Sequence, residues 1–239
     1  MPDIFDVLAA DHKEVKQMLA RLEKNRPRRG AGDDALAKRK EKVEQLIIEE
    51  SKHEALEEMH FWPAVRDKLP DGDKLADKAT GQEQEAKHVL DKLDKLDPSD
   101  GKFEELLTKF AESGHEHIEF EETQVWPKLR KALSKKEAGE IGKKFSDGKK
   151  TAPTRPHPGT PPRPGALKSA GPAVAAADKA RDAATGRGKR TTSGRGSGSA
   201  ANGHTKAELY QEARKLGIEG RSSMNKDELA RRVTAAKRK

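Results

Sequence analysis

Residues 53–63 read HEALEEMHFWP, and a related stretch, HIEFEETQVWP, follows at residues 117–127. Aligned without gaps, the two stretches share a histidine, two consecutive glutamates, a tryptophan and a proline. Both tryptophans of the chain fall in this register. We therefore interpret the stretches as an internal repeat, which predicts two helices with equivalent parts in one fold. The shared positions are His53/His117, Glu57/Glu121, Glu58/Glu122, Trp62/Trp126 and Pro63/Pro127.

Around this repeat, residues 1 to about 148 carry apolar side chains at the three- and four-residue spacing of helices. No segment keeps a period of two, so no sheet is expected. Four long helices joined by short loops favour an all-α, up-down-up-down four-helix bundle, with a short fifth helix after a capping box at Ser134. The four predicted helices span about residues 3–25, 33–62, 73–96 and 99–133.

The repeat also predicts a metal site. A His and a Glu four residues apart lie on one helix face, so both can reach the same point inside a bundle. Imidazole with carboxylate and no sulfur suits iron, zinc or manganese, and carboxylates can bridge two metals. A single helical histidine is more often a surface or core residue than a ligand. Here the repeat favours ligation, with His12 and His88 supplied by the other two helices.

Residues 1 to about 133 resemble the hemerythrin-like HHE cation-binding domain. The resemblance lies in Asp11-His12, His53-x-x-x-Glu57-Glu58, Glu85-x-x-His88 and His117-x-x-x-Glu121-Glu122, with Pro63 and Pro127 closing the paired helices. It implies two iron ions, oxo- or hydroxo-bridged, with zinc or manganese as alternatives, and a response to dioxygen, nitric oxide, peroxide or iron. Carried over by motif, the ligands are His12, His53, Glu57, His88, His117 and Glu121.

The chain departs from oxygen-carrying hemerythrins in two places. Those proteins use a second histidine one turn away on the third helix, where this chain has Gln84 and Lys92 around His88. They also end on His-x-x-x-x-Asp, a place that Glu122 takes here, with Glu121 equally available. Fewer histidines and more carboxylates favour redox or iron-sensing chemistry over reversible oxygen carriage. Further candidates, as ligands or as hydrogen-bond partners of ligands, are His60, Glu58 and Glu122.

The second part of the chain is strongly basic. Residues 150–239 hold 20 Lys and Arg against 7 Asp and Glu, whereas residues 1–149 hold 29 against 34. Such an asymmetry indicates contact with DNA or RNA, the alternative being a solubilising tail. Pro-rich, Ala-rich and Gly/Ser/Arg-rich pieces follow one another from 149 to 203, which predicts a disordered basic linker between the bundle (1–148) and a last module (204–239).

That last module carries two capping signals, Thr205-x-x-Glu208 and Asn225-x-x-Glu228, each opening a short amphipathic helix. It resembles the SAP-like unit at the N-terminus of the transcription terminator Rho, which implies binding to nucleic acid. Such binding would be salt-sensitive and largely independent of sequence. The alternative is a docking module for a protein partner. The predicted phosphate contacts are Lys206, Arg214, Lys215, Arg221, Lys226, Arg231 and Arg232.

Composition limits the remaining function classes. The chain has no cysteine, which excludes disulfides, thiolate metal sites and cysteine nucleophiles. With no apolar run long enough for a membrane and no signal peptide, we expect a cytoplasmic protein, associated with the nucleoid if the tail binds DNA. We predict a di-iron protein that senses or scavenges small molecules near nucleic acid. The alternatives are a di-iron peroxidase or oxidase, and a nucleoid-associated structural protein without metal.

Overall fold

A computed structural model describes residues 2–28, 30–160, 166–185, 206–218, 221, 224 and 226–237, and this part of the chain is helical, without strands. Two π-helical turns, Glu57–Phe61 and Glu121–Val125, join α2 to α3 and α5 to α6. The helices are α1 Ile4–Lys24, α2 Asp33–Leu56, α3 Trp62–Lys68, α4 Gly72–Lys95, α5 Gly101–Phe120, α6 Trp126–Ala132, α7 Lys135–Gly148, α8 Ala166–Thr185, α9 Lys206–Lys215 and α10 Lys226–Lys237.

The predicted bundle is confirmed: α1, α2–α3, α4 and α5–α6 are its four helices. Its interior contains two hydrophobic cores, one around Leu8, Phe61 and Val125 and the other around Val15 and Phe110. Between the cores lies a layer of polar side chains. Burial of each large apolar side chain contributes about 1.5–3 kcal/mol, so the two cores stabilise the bundle and keep water away from the polar layer.

The capping box predicted at Ser134 is present and starts α7, which packs along α1. The Ser134 side chain accepts from the Glu137 amide at 3.2 Å, while the Glu137 carboxylate accepts from the Ser134 amide at 2.9 Å. Gly142 allows the close contact with α1, since a Cβ there would lie 2.7 Å from the carbonyl carbon of Asp3. The fifth helix thus belongs to the bundle fold, and it covers the start of α1.

Both π-helical turns follow from the repeat. Pro63 and Pro127 have no amide hydrogen, and a proline ring clashes with the carbonyl four residues earlier in an α-helix. A local π-turn accommodates this: the amides of Trp62 and Trp126 bond to carbonyls five residues back. In an α-helix, residues five apart point in directions about 140° apart. In the wider π-helical turn, five residues complete only a little more than one turn, so their side chains point in similar directions. The widening therefore lets Glu57 and Trp62 both face the interior, where each is at most 2% exposed.

The predicted disordered linker is wrong for residues 149–160 and 166–185. The carboxylate of Asp178 on α8 is fully buried and accepts from the backbone amides of Thr154 and Arg155 at 3.1 and 3.2 Å. Arg155 joins Asp182 to Asp94 of α4 at 2.9 and 3.2 Å. Composition could not reveal this, because the order of this irregular segment depends on hydrogen bonds of its backbone and side chains to Asp178 and Asp182 of α8. The rest of the predicted linker, 161–165 and 186–203, lies outside the described residues.

The C-terminal helices α9 and α10 pack through Leu209, Ala213, Leu229 and Val233, each at most 5% exposed. Gly217 ends α9 with a positive φ of 65°, and the Ile218 amide bonds back to the Ala213 carbonyl at 2.9 Å. A glycine in this conformation is a common end of a helix, because it carries no Cβ that would clash there. The likeness of the pair to a nucleic-acid module stays a prediction. None of the helices in the described ranges is long and apolar enough to cross a membrane.

Candidate metal centre

The polar layer contains two overlapping groups of metal-ligating side chains, which we call position A and position B. Within each group, one ligand atom per residue lies within 4.8 Å of every other. Two carboxylates, Glu57 and Glu121, belong to both groups, so the arrangement fits two neighbouring cations that share them. Position A consists of His12, His53, Glu57 and Glu121; position B consists of Glu57, Glu83, His117 and Glu121.

Many of the ligand atoms are buried without a well-directed hydrogen bond, and their nearest polar neighbours are one another, as in the 3.1 Å between Nε2 of His12 and Oε2 of Glu121. This holds for Nε2 of His12 and His117, for both carboxylate oxygens of Glu57 and Glu121, and for Oε2 of Glu83. Leaving one such group unpaired costs about 1–3 kcal/mol, and more when it is charged. Cations at positions A and B would offset this cost, so the residues present fit a pair of metal ions.

The opposite nitrogen of each histidine ring lies close to a side-chain oxygen. An acceptor at Nδ1 fixes the ring so that the unprotonated Nε2 is free to ligate. Each ring is therefore oriented by a residue that is not itself in either group. The Nδ1 contacts are His12 to Glu122 at 3.0 Å, His53 to Asp11 at 3.4 Å, and His117 to Gln82 at 3.3 Å.

Two of the three orienting residues, Glu122 and Asp11, are carboxylates, and each is held by a lysine. Lys16 donates to both oxygens of Glu122 at 2.9 and 3.0 Å, and Lys149 pairs with Asp11. The sequence left open whether Glu121 or Glu122 lies among the ligands, and the structure gives the two residues different environments. Glu121 is fully buried among the ligands, whereas Glu122 is half-buried and contacts the outer nitrogen of His12.

Five of the six predicted ligands come together, and the sixth, His88, does not. His88 is exposed on α4, and Glu83 occupies the inward position instead, at 1% exposure. The two residues are five apart, which puts them about 140° apart around an α-helix. A signal existed in the sequence, because Glu83 lies four residues after Ala79 and seven before Leu90, on the apolar stripe of that helix.

Of the remaining candidates, Glu58 and His60 belong to neither group. Glu58 is buried and pairs with Lys87, which is itself only 6% exposed, and His60 is half-buried. Glu54 is buried beside this pair, and its Oε2 lacks a hydrogen-bond partner. Glu54, Glu58 and Lys87 thus form a second buried polar cluster next to the metal-ligating groups. The sequence pattern did not predict this cluster.

Burial and mutual repulsion disturb the carboxylates of the site. Burial, with the neighbouring charge of Glu121, raises the pKa of Glu57 to about 7. Burial and Glu57 likewise raise the pKa of Glu83 well above its usual range. Burial would also raise the pKa of Glu121, but the nearby His117 and His12 outweigh it and lower that pKa. Without a cation, Glu57 and Glu83 therefore hold protons near neutral pH that a metal would displace, whereas Glu121 stays ionised.

The metal-free protein is expected to lose stability between about pH 5 and pH 7. The pKa of Glu57, about 7 when folded, lies above its ordinary value of 4.5, so the folded state binds more protons in this window and the unfolding free energy falls as pH rises. Glu57 alone accounts for about 3 kcal/mol. Urea denaturation of chelator-treated protein checks this. Glu57→Gln should flatten the dependence, and an equally steep fall in that variant would contradict the assignment.

A small cavity of about 20 Å³, roughly the space of one water molecule, adjoins the two positions. His12, His53, Glu83 and His117 line it on the side of the ligands. Its other walls include Glu50, Glu54, Ser113, Gly114 and Phe110. The cavity therefore leaves space beside the ligand side chains for a molecule of about the size of water.

Comparison with known proteins agrees with this geometry. Residues 3–129 match the hemerythrin HHE cation binding domain family. A relative is an uncharacterised hemerythrin-like protein of Schizosaccharomyces pombe, 29% identical over 183 residues that cover 76% of this chain and 86% of that protein. The match to this relative covers more of the chain than residues 3–129, so it extends into the segment that follows the bundle helices. No solved structure matches the chain.

Proposed function

Because this chain belongs to the hemerythrin HHE cation-binding family, we propose that it binds two iron ions at positions A and B and senses or scavenges dioxygen, nitric oxide, peroxide or iron. The observation that carries the proposal is the set of buried imidazole and carboxylate atoms in two groups that share Glu57 and Glu121, most of them without a well-directed hydrogen bond. Three imidazoles and three carboxylates without sulfur suit iron, with zinc or manganese as alternatives. Bound iron would supply redox chemistry and a coordination position for a small molecule.

The chain's own residues have separate parts in this function. Glu57 and Glu121 are placed to neutralise both cations, while Asp11, Gln82 and Glu122 hold the imidazole rings. The hydrophobic cores on either side of the polar layer exclude bulk water. The small cavity limits access to molecules of a few atoms, which favours dioxygen or nitric oxide over an organic substrate.

Metal analysis of the full chain, purified in air, tests the proposal. We expect about two irons per chain, with near-ultraviolet charge-transfer bands typical of iron with oxygen and nitrogen ligands. Absence of any bound transition metal would refute the function and favour a structural protein with a bundle lacking metal. Sustained turnover of added peroxide by the iron-loaded protein would instead indicate the peroxidase or oxidase alternative.

For the C-terminal part we propose contact with DNA or RNA. The support is its positive charge, since residues 150–239 hold 20 basic and only 7 acidic side chains. Arg214, Lys215, Arg231 and Arg232 are exposed on α9 and α10. Arg221 has a structural part, since its guanidinium donates to the Ile218 carbonyl at 3.1 Å. The side chains of Lys206 and Lys226 lie outside the described part of the chain.

Reversing three of these charges should weaken nucleic-acid binding and its dependence on salt. In Arg214→Glu/Lys215→Glu/Arg232→Glu, loss of three phosphate contacts would reduce the slope of log affinity against log salt by about 3. Fluorescence anisotropy with a duplex and a single strand, at several salt concentrations, measures this slope. The control reverses three exposed charges near the start of α7, Lys131, Lys135 and Lys136. Equal losses in the two variants would refute a specific role for α9 and α10.

A further inference from the structure

We propose that the two metal positions are chemically unequal, so that position A selects a borderline ion such as Co²⁺, Zn²⁺ or Fe²⁺, while position B favours a hard ion such as Mn²⁺ or Fe³⁺. The inference rests on the proposed two-metal function and adds to it the selectivity of each position. A chain built in this way can hold two different metals in a fixed arrangement.

The inequality arises where the internal repeat fails. The repeat relates His53 and Glu57 to His117 and Glu121, so each half of the bundle supplies one His-x-x-x-Glu pair. The remaining ligand differs between the halves: α1 supplies His12, and α4 supplies Glu83. Position A therefore has two imidazoles and two carboxylates, and position B has one imidazole and three carboxylates.

This difference changes the metals that each position prefers. Carboxylate oxygens suit Mn²⁺ and other hard ions, whereas imidazole suits zinc, iron and later transition metals. The shared Glu57 and Glu121 contribute equally to the two positions. The difference in metal preference between the positions therefore comes from the one ligand that differs, His12 in position A and Glu83 in position B.

Each of these two differing residues contacts one tryptophan. The Trp62 indole N–H donates to Oε1 of Glu83 and leaves Oε2 without a partner, as the single oxygen available to a metal. The Trp126 ring stacks on His12, with centroids 5.0 Å apart and planes 19° apart. Trp62 and Trp126 are the two tryptophans of the chain. Their fluorescence should report the filling of position B and position A separately.

Two single-tryptophan variants of the full, metal-free chain test the proposal. Trp62→Phe keeps the reporter of position A, and Trp126→Phe keeps that of position B. In titrations with Co²⁺, we expect position A to fill at a concentration at least about tenfold lower than position B. With Mn²⁺, the gap should close to within about threefold or reverse.

Substitutions of Glu83 provide the matched controls. Glu83→His gives position B the same donor set as position A, two imidazoles and two carboxylates, and should bring the two Co²⁺ midpoints to within about threefold of each other. Glu83→Gln keeps the shape and an oxygen facing Trp62, so it should weaken position B at least about tenfold and leave the Trp126 response unchanged. Equal midpoints for both ions in the parent variants, or a Glu83→Gln variant that weakens both positions equally, would overturn the proposal.

Electron paramagnetic resonance on the unsubstituted chain provides a measurement that does not depend on the tryptophan variants. After one equivalent of Zn²⁺ and one of Mn²⁺, we expect both ions to stay bound, with a six-line signal from isolated Mn²⁺. A coupled two-manganese signal in this one-to-one mixture would show that the ions distribute without preference between the positions, and would refute the selectivity. If neither ion binds and neither tryptophan responds, the proposed two-metal function fails as well, whereas equal binding at both positions refutes the inequality alone.

Discussion

Replacing Glu121 by alanine is expected to remove both metal ions from the protein at once. Its carboxylate belongs to position A and to position B and is fully buried, with the Nε2 atoms of His12 and His117 at 3.1 and 3.5 Å from its oxygens. Loss of a residue that only orients a ligand costs about 10–100-fold in metal affinity, so loss of a shared ligand should cost at least that at both positions. Elemental analysis after dialysis against a weak chelator should show almost no metal, compared with about two ions per chain in the parent.

Two control variants make this expectation specific. His88→Ala should keep the full metal content, because His88 is exposed and belongs to neither group. Glu122→Ala should lose affinity mainly at position A, since Glu122 contacts the outer nitrogen of His12 at 3.0 Å. Greater metal loss in Glu122→Ala than in Glu121→Ala would show that the two glutamates have been assigned in the wrong order.

Replacing Lys87 by methionine is expected to destabilise the fold by about 3–5 kcal/mol, because it leaves a buried carboxylate without its partner. Lys87 is 6% exposed and pairs with Glu58, which is 8% exposed, and Glu54 lies beside them at 3%. These charges raise the pKa of Lys87 despite its burial. Urea denaturation of metal-free protein at pH 7 should show the loss as a lower midpoint with an unchanged slope.

A double variant separates the cost of an unpaired charge from the cost of altered packing. Lys87→Met combined with Glu58→Gln removes both charges while keeping similar volumes, so it should recover at least half of the lost stability. If altered packing caused the loss instead, the double variant should be at least as unstable as Lys87→Met. A loss below about 1 kcal/mol in the single variant would show that water reaches the cluster and solvates its charges.

The internal repeat explains how much of the site could be predicted from the sequence. It pointed to His53, Glu57, His117 and Glu121, which the structure brings together, because residues four apart lie on one helix face in any bundle. On α4 no repeat was available, and the prediction relied on residue type, which favoured His88. The inward face of that helix is defined by its apolar stripe, on which Glu83 falls. Periodicity was therefore a better guide there than residue chemistry.

By itself, the sequence determined the helical bundle, its capping box at Ser134 and the paired His and Glu positions on one helix face, because these depend on local spacing along single helices. The tertiary structure alone buried Glu121 rather than Glu122 among the candidate ligands, and packed α8 with its buried Asp178 against residues 154–155. These outcomes depend on which face of one helix meets another, and on hydrogen bonds between segments distant in sequence. Such contacts are fixed by packing in three dimensions, which no local pattern encodes.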